Sequence, residues 1–313
     1  MIEIDGITMP LVDAHVHIWN HFHGSRLGNV PLEPLGWGRV RQGGEVYLSI
    51  LPERPDNLVL VESLLVYMDE LGADNAVILQ NPCYGDQRNY IREVLHAHPG
   101  KFVSLGMLDP RLGQARVEKE MDNLLDEYGF KGFKIEVPDV PFPMDELEYD
   151  FLFRKIMEQG AVLALDLGWH DGPFVFNIER LEKVLRKYPA LPLVLCHLGV
   201  SRLDDHDQKN PYPFLQQTLK LLDINRDHLY FDISGLPLFD DKDEYPFERS
   251  LDIFKMAYHT CGTDRLLWGS DMPTIMTTCT YKQTLTQITR HCDFLTQKDY
   301  EQLFHKNAEK VYF

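Results

Sequence analysis

The sequence predicts an α/β protein, a closed (β/α)8 TIM barrel forming one domain over residues 1–313, and three observations carry this. Short apolar runs alternate with longer segments of helical period. The runs are continuously apolar, as strands of a parallel sheet buried on both faces are. Eight of them fit within 313 residues, a normal length for a single α/β barrel. An open doubly wound sheet would usually bring a G-x-G-x-x-G turn after an early strand, and none is present.

The first run is "PLVDAHVHI", residues 10–18. The segment 19–56 then breaks the rhythm. It is too long for an ordinary βα loop and rich in Gly and Pro, so it is expected as a lid-like insertion over the barrel mouth. It carries Arg26, Arg39, Arg41 and Arg54, which would present cations to an anionic substrate. A solvated surface excursion is the plainer alternative.

A helix is predicted over 57–72, with Leu58, Val61, Leu65, Met68 and Leu71 on one face and Gly72 as its stop. Strand two is 74–80. The next helix has Asp86 as its N-cap and ends at Pro99-Gly100. Strand three is 101–109, and Val117, Met121, Leu124, Leu125 and Tyr128 mark a helix closed by Gly129. Strand four is 131–137, followed by a helix over 145–159. Strand five is 161–168, and Ile178, Leu181, Val184, Leu185 and Tyr188 give a helix that stops at Pro189. Strands six, seven and eight are 191–199, 228–235 and 265–273. A helix ending near His291 and another through 299–313 complete the chain.

The formal net charge of −17 disfavours nucleic acid and anionic membrane surfaces, which attract cationic proteins. The five cysteines are widely spread and form no C-x-x-C pair, against a disulfide framework or a zinc ribbon. The first ten residues lack a basic segment before an apolar one, and no run is long enough to span a bilayer. A cytoplasmic location is the default expectation.

Polar residues gather at the predicted strand ends. His15 and His17 are two apart, so they share a face, and at the end of strand one that face is the barrel mouth. Two inward imidazoles suit one divalent ion or one polarised substrate oxygen. Strand four ends in Lys134 and Glu136, strand five in Asp166, strand six in His197 and strand eight in Asp271. Burying such groups among Leu and Val costs several kcal/mol unless they are paired or metal-bound. Each also has a structural reading: His197 as a satisfied core histidine, Asp166 as an acceptor for loop N–H groups, Lys134 as the partner of Glu136. His21, His23 and His170 read as surface histidines. His96, His98, His206, His228, His259, His291 and His305 fall away from the mouth and take no role. No G-x-S-x-G elbow supports a Ser–His–Asp hydrolase.

"VDAHVHIW", "VILQNPCYGDQRNYI", "HPGKFVSLGMLDP", "GFKGFKIE", "LVLCHLG", "LLWGSDMP" and "NAEKVYF" together resemble the amidohydrolase superfamily. The resemblance is to its amidohydrolase-related TIM-barrel branch, which includes 2-pyrone-4,6-dicarboxylate lactonase and sugar lactonases, with the aminocarboxymuconate-semialdehyde decarboxylase group nearby. It runs from Leu11 to the C-terminus and is weakest over 21–56. It implies that His15, His17, His197 and Asp271 surround the reacting centre and are the ligands of any divalent ion, zinc or manganese. Asp166 stands where metal-dependent members usually have a histidine, so catalysis without a metal stays open. Lys134, with Asp166 and Glu136, would contact the substrate. The implied reaction is hydrolysis of a small anionic lactone or ester, Asp271 acting as general base and His197 stabilising the developing charge. The rival is metal-dependent, non-oxidative decarboxylation of an unsaturated or aromatic acid. Barrels of this family often form homo-oligomers, which leaves that option open here.

Overall fold

The computed structural model describes residues 1–26, 29–168, 178–199, 212–239 and 243–313. Eight parallel strands follow one another in chain order around one sheet. They are Val12–Val16, Asn75–Leu79, Phe102–Met107, Gly132–Glu136, Val162–Asp166, Leu193–Leu195, Leu229–Asp232 and Leu266–Leu267. The sheet closes on itself where Ala14 N donates to Trp268 O at 3.0 Å, Asp271 N to His15 O at 2.9 Å and His17 N to Met272 O at 2.8 Å. The expected barrel is therefore present. An antiparallel hairpin, Ile2–Ile4 with Ile7–Met9, precedes it.

Alternation along the strands divides the core. Val12, Ala14, Val77, Val103, Val162, Ala164, Val194 and Leu267 pack together inside the barrel, and Ala308 and Tyr312 of the last helix, Asn307–Tyr312, join them. Phe133, Ile135, Leu163, Leu165 and Leu193 point the other way into the layer shared with the helices. The helix Ile178–Lys187 shows the fit of sequence to packing: Ile178, Leu181, Val184 and Leu185 are its buried stripe.

Strand one needs a further device. With Val12 and Ala14 inside, strict alternation would turn His15 and His17 outward. The register with Asn75–Leu79 shifts between Asp13 and Val16. The Asp13 carboxylate holds the irregularity, accepting from His15 N at 3.2 Å, Ser270 N at 2.8 Å and Tyr281 Oη at 2.8 Å. Such a bulge re-aims the residues that follow it, and here it swings both histidines into the mouth.

Several boundaries differ from the sequence reading. The first helix runs Val61–Leu71 and buries Val61, Leu64 and Met68, whereas Leu58, Leu65 and Leu71 are half-buried. Gln87, not Asp86, is the N-cap of Arg88–Ala97; the Asp86 carboxylate binds Arg88 N one residue further in. The helix expected over 145–159 starts at Asp150, after a 3-10 turn at Leu147–Tyr149. Strands six and eight stop before His197 and Asp271. Both residues sit in turns with positive φ, 55° and 65°. His170 and His206 lie outside the described residues.

The insertion is a small sheet rather than a loop. Ser25–Arg26, Val30–Gly36, Arg39–Gln42 and Glu45–Leu48 form four antiparallel strands in that order. Leu32 and Val40 are buried on its inner face. Asn57 fastens it to the barrel: its Oδ1 accepts from Gly38 N at 2.8 Å, its Nδ2 donates to Arg39 O at 2.8 Å, and its carbonyl accepts from Trp19 Nε1 at 2.7 Å.

Candidate active site

A cleft opens at the C-terminal ends of the barrel strands, under the insertion. His15, His17, Lys134, Glu136, Asp166, His197 and Asp271 all line it, so every residue singled out at a strand end reaches one cavity.

At its floor, His15 Nε2 lies 3.2 Å from His17 Nε2, and Asp271 Oδ1 lies 3.7 Å from the first and 3.1 Å from the second. The far nitrogens are committed. His17 Nδ1 donates to Leu79 O at 2.9 Å, and His15 Nδ1 donates to Asp232 Oδ2 at 2.9 Å. A carbonyl oxygen can only accept, so a neutral His17 must keep its proton on Nδ1. With both rings neutral, two lone pairs and a carboxylate oxygen face one another; with a ring protonated, its Nε2–H instead faces Asp271 Oδ1. Such a triangle calls for a cation at its centre, and donors about 2.0–2.2 Å from a tetrahedral zinc have spacings of this order. A second, overlapping set is His15, His197 and Asp271, whose ligand atoms all lie within 4.8 Å of one another. The donors fit one divalent ion.

Burial alone would raise the Asp271 pKa, but the His17 contact and the nearby His15 and His197 imidazoles hold it below the usual carboxylate range. Its Oδ2 meets no hydrogen-bond partner among the described residues. His15 is lowered by burial, which outweighs the Asp232 charge. Burial also works against a charge on His197, yet Asp166, Asp232 and Asp271 push it up to about 10. Its Nδ1 donates to Ser234 O at 2.8 Å, and its Nε2 lies 3.4 Å from Asp166 Oδ2.

The second group is Lys134, Glu136 and Asp166. Lys134 Nζ is 3.0 Å from Glu136 Oε2 and 3.7 Å from Asp166 Oδ2. Asn81 Nδ2 also donates to Glu136 Oε2 at 3.0 Å. The shorter distance would make Glu136 the charged partner, yet the electrostatics favour Asp166. Burial and the adjacent Asp166 charge push Glu136 up to about 8. Asp166 is raised by burial but lowered further by Lys134 and His197, and its Oδ1 accepts from Gly168 N at 2.7 Å. With more donors, Asp166 keeps the charge and Glu136 holds the proton. Both structural readings of the sequence are therefore present: Lys134 pairs with Glu136, and Asp166 accepts a loop N–H.

The sequence did not single out Asp232, Asn81 or Tyr84. Asp232 ends strand seven within "LYFD", the same signal that drew attention to Asp166. Its Oδ1 accepts from His197 N and Ser234 N, both at 3.0 Å, so one carboxylate orients two of the histidines. Of the four insertion arginines only Arg26 lines the cleft, its Nε 3.9 Å from Asp139 Oδ2. Arg41 pairs with Glu33 and Arg54 with Asp56 at the surface, and Arg39 is exposed. The expectation of four cations over the mouth is corrected to one, because alternation in the sheet turns Arg39 and Arg41 outward.

A family model described as Amidohydrolase matches residues 12–313. No curated protein matches the chain. Solved structures do. A "probable 2-pyrone-4,6-dicarboxylic acid hydrolase" from Acinetobacter baumannii with citric acid bound is 17% identical, with a TM-score of 0.68 over 97% of this chain and 99% of that one. An amidohydrolase from Burkholderia multivorans with bound zinc is 15% identical, with a TM-score of 0.71 over 97% and 99%. The 5-carboxyvanillate decarboxylase LigW from Sphingomonas paucimobilis is 15% identical, with a TM-score of 0.57 over 81% and 83%. No helix among the described residues is long and apolar enough to cross a membrane.

Proposed function

Because the chain belongs to the amidohydrolase family, we propose that it hydrolyses a small anionic lactone or related ester at this cleft. The observation that carries the proposal is the convergence of Asp271 with His15, His17 and His197 around one cavity. Asp271 Oδ2 is ionised, buried and free of hydrogen bonds among the described residues, which suits a base. It takes the proton of the attacking water. His197, charged through Asp166, lies across the floor and stabilises the oxyanion that forms as the carbonyl is attacked.

His15, His17 and Asp271 would hold a divalent ion, and His197 belongs to an overlapping donor set with His15 and Asp271. When bound, that ion supplies Lewis acidity and lowers the pKa of a water ligand. The neighbours with bound zinc and bound citrate accord with a site for a metal and for an acid, though each speaks for its own protein.

The assignment of the substrate carboxylate moves from Lys134 to Arg26. Lys134 is fully buried between two carboxylates, whereas Arg26 is 17% exposed on the cleft wall with one long ion pair to Asp139. Lys134, Glu136 and Asp166 then form the charged floor that keeps His197 protonated.

A panel of mono- and dicarboxylated lactones and esters, followed by acid release at constant pH, tests the reading. Turnover of an anionic lactone or ester, with neutral analogues slower, is expected. Release of CO2 from an unsaturated or aromatic acid, with no lactone turned over, would replace hydrolysis by decarboxylation.

A further inference from the structure

The insertion sheet ends in an open edge. Glu45–Leu48 is its last strand and, among the described residues, pairs only with Arg39–Gln42. Gln42 and Glu45 face each other across Gly43 and Gly44, whose φ values of 56° and 96° are those of a two-residue hairpin turn. The pair that closes such a hairpin is hydrogen-bonded, and bonded and non-bonded pairs alternate from there. Arg41 with Val46 and Arg39 with Leu48 are then the non-bonded pairs. The N–H and C=O groups of Val46 and Leu48 therefore point out to the free edge. Among the described residues no backbone group outside the sheet meets them.

The side chains do not shield this edge. Val46 and Leu48 are 52% and 47% exposed, and Leu35 and Trp37 of the same sheet are 37% and 57% exposed. Single chains usually blunt such edges with lysine, proline or a bulge. This strand has none of these.

We propose that the edge pairs antiparallel with the same edge of a second copy of this chain, with Tyr47 of each copy meeting on the two-fold axis. Val46 and Leu48 are placed symmetrically about Tyr47, so Val46 falls opposite Leu48 of the second copy and the reverse. Each of these pairs exchanges both outward backbone groups. The same register puts two Val–Leu contacts at the centre of the outer face. It sets no like charges directly opposite, since Glu45 faces Ser49 of the second copy. A two-fold contact must be self-complementary in this way. The edge residues alone bury less than the roughly 800 Å2 per partner of a stable interface. Leu35 and Trp37 of the same sheet are also exposed, and a contact of this size makes a weak, concentration-dependent dimer. Tyr47 also lines the cleft, so the contact borders the candidate site.

Sedimentation velocity of the full chain, from low to several hundred micromolar, tests this. The wild type should pass from monomer to dimer. Val46→Pro removes an outward N–H that the monomer does not use, and Leu48→Lys adds charge at the centre. Both should stay monomeric across the range with unchanged circular dichroism and melting. Val66→Lys, on an exposed helix position away from the sheet, should dimerise as the wild type does. A wild type that stays monomeric throughout, or a dimer that survives both edge variants, overturns the proposal. None of these readouts depends on the proposed reaction.

Discussion

Replacing Asp271 with asparagine removes its proton-accepting role while keeping a neutral oxygen that can still face a bound ion. Asp271 has a φ of 65°, a conformation that asparagine tolerates well and alanine poorly, so the turn is kept. Oδ1, near His15 and His17, is replaced by a group of the same shape. Oδ2 loses no hydrogen bond among the described residues, because it makes none. What disappears is a buried carboxylate held ionised by His17, His15 and His197. General-base catalysis is worth about 10²- to 10⁴-fold, or roughly 3–5 kcal/mol of transition-state stabilisation. We expect kcat on the best lactone or ester to fall by that factor, while KM changes by less than about threefold. Far-UV circular dichroism and the melting temperature should report an intact fold. Turnover within a few-fold of wild type, from a folded variant, would remove Asp271 as the base.

Arg26→Gln should raise KM for an anionic substrate about 10- to 100-fold with little change in kcat, matching a lost charge-assisted hydrogen bond of about 1.5–3 kcal/mol; an equal effect on a neutral analogue would refute the assignment. A Cβ at Gly235 would lie 2.9 Å from Asp271 Oδ2 and 3.1 Å from His197 Nδ1, at a φ of +66°. Gly235→Ala should therefore displace both groups and cost about 10²-fold in kcat/KM, and undiminished steady-state rates would contradict that crowding. Asp232→Asn removes the acceptor that orients His15, and zinc affinity measured against a chromophoric chelator should fall about 10- to 100-fold. Unchanged affinity would show that His15 is not a ligand. Glu136 takes up a proton on folding, its pKa raised by burial and Asp166 from 4.5 to about 8. Its contribution to stability is complete below the unfolded value and is lost as pH rises through the folded one. Melting temperatures of the wild type should thus fall between about pH 5 and 8 more steeply than those of Glu136→Gln, and parallel curves would contradict the linkage.

The barrel was legible because its strands are uninterrupted apolar runs and its helices carry a clean stripe, as Ile178–Lys187 does. The site was legible because ionisable residues interrupt those runs at their ends. What the pattern could not convey was three-dimensional compensation. Simple alternation put His15 and His17 on one face, but only the irregularity at Asp13 makes that face the inner one. The sequence offered Glu136, two positions on, as a partner for Lys134, but only the fold shows that Asp166, 32 positions later, shares it. Asp232 went unremarked although it lies at a strand end, since its importance comes from His15 and His197, more than 200 and 30 residues away. The insertion's own sheet was masked by its Gly and Pro content, which in this case serves tight hairpins.

The attachment through Asn57 has a consequence for how this mouth works. One buried side chain clasps two successive backbone units of the insertion while its own carbonyl holds the Trp19 indole, so this wall of the cleft is tied down at that point by three hydrogen bonds. Residues on the wall's inner surface can then be exchanged to suit a differently shaped acid while the histidines below stay undisturbed.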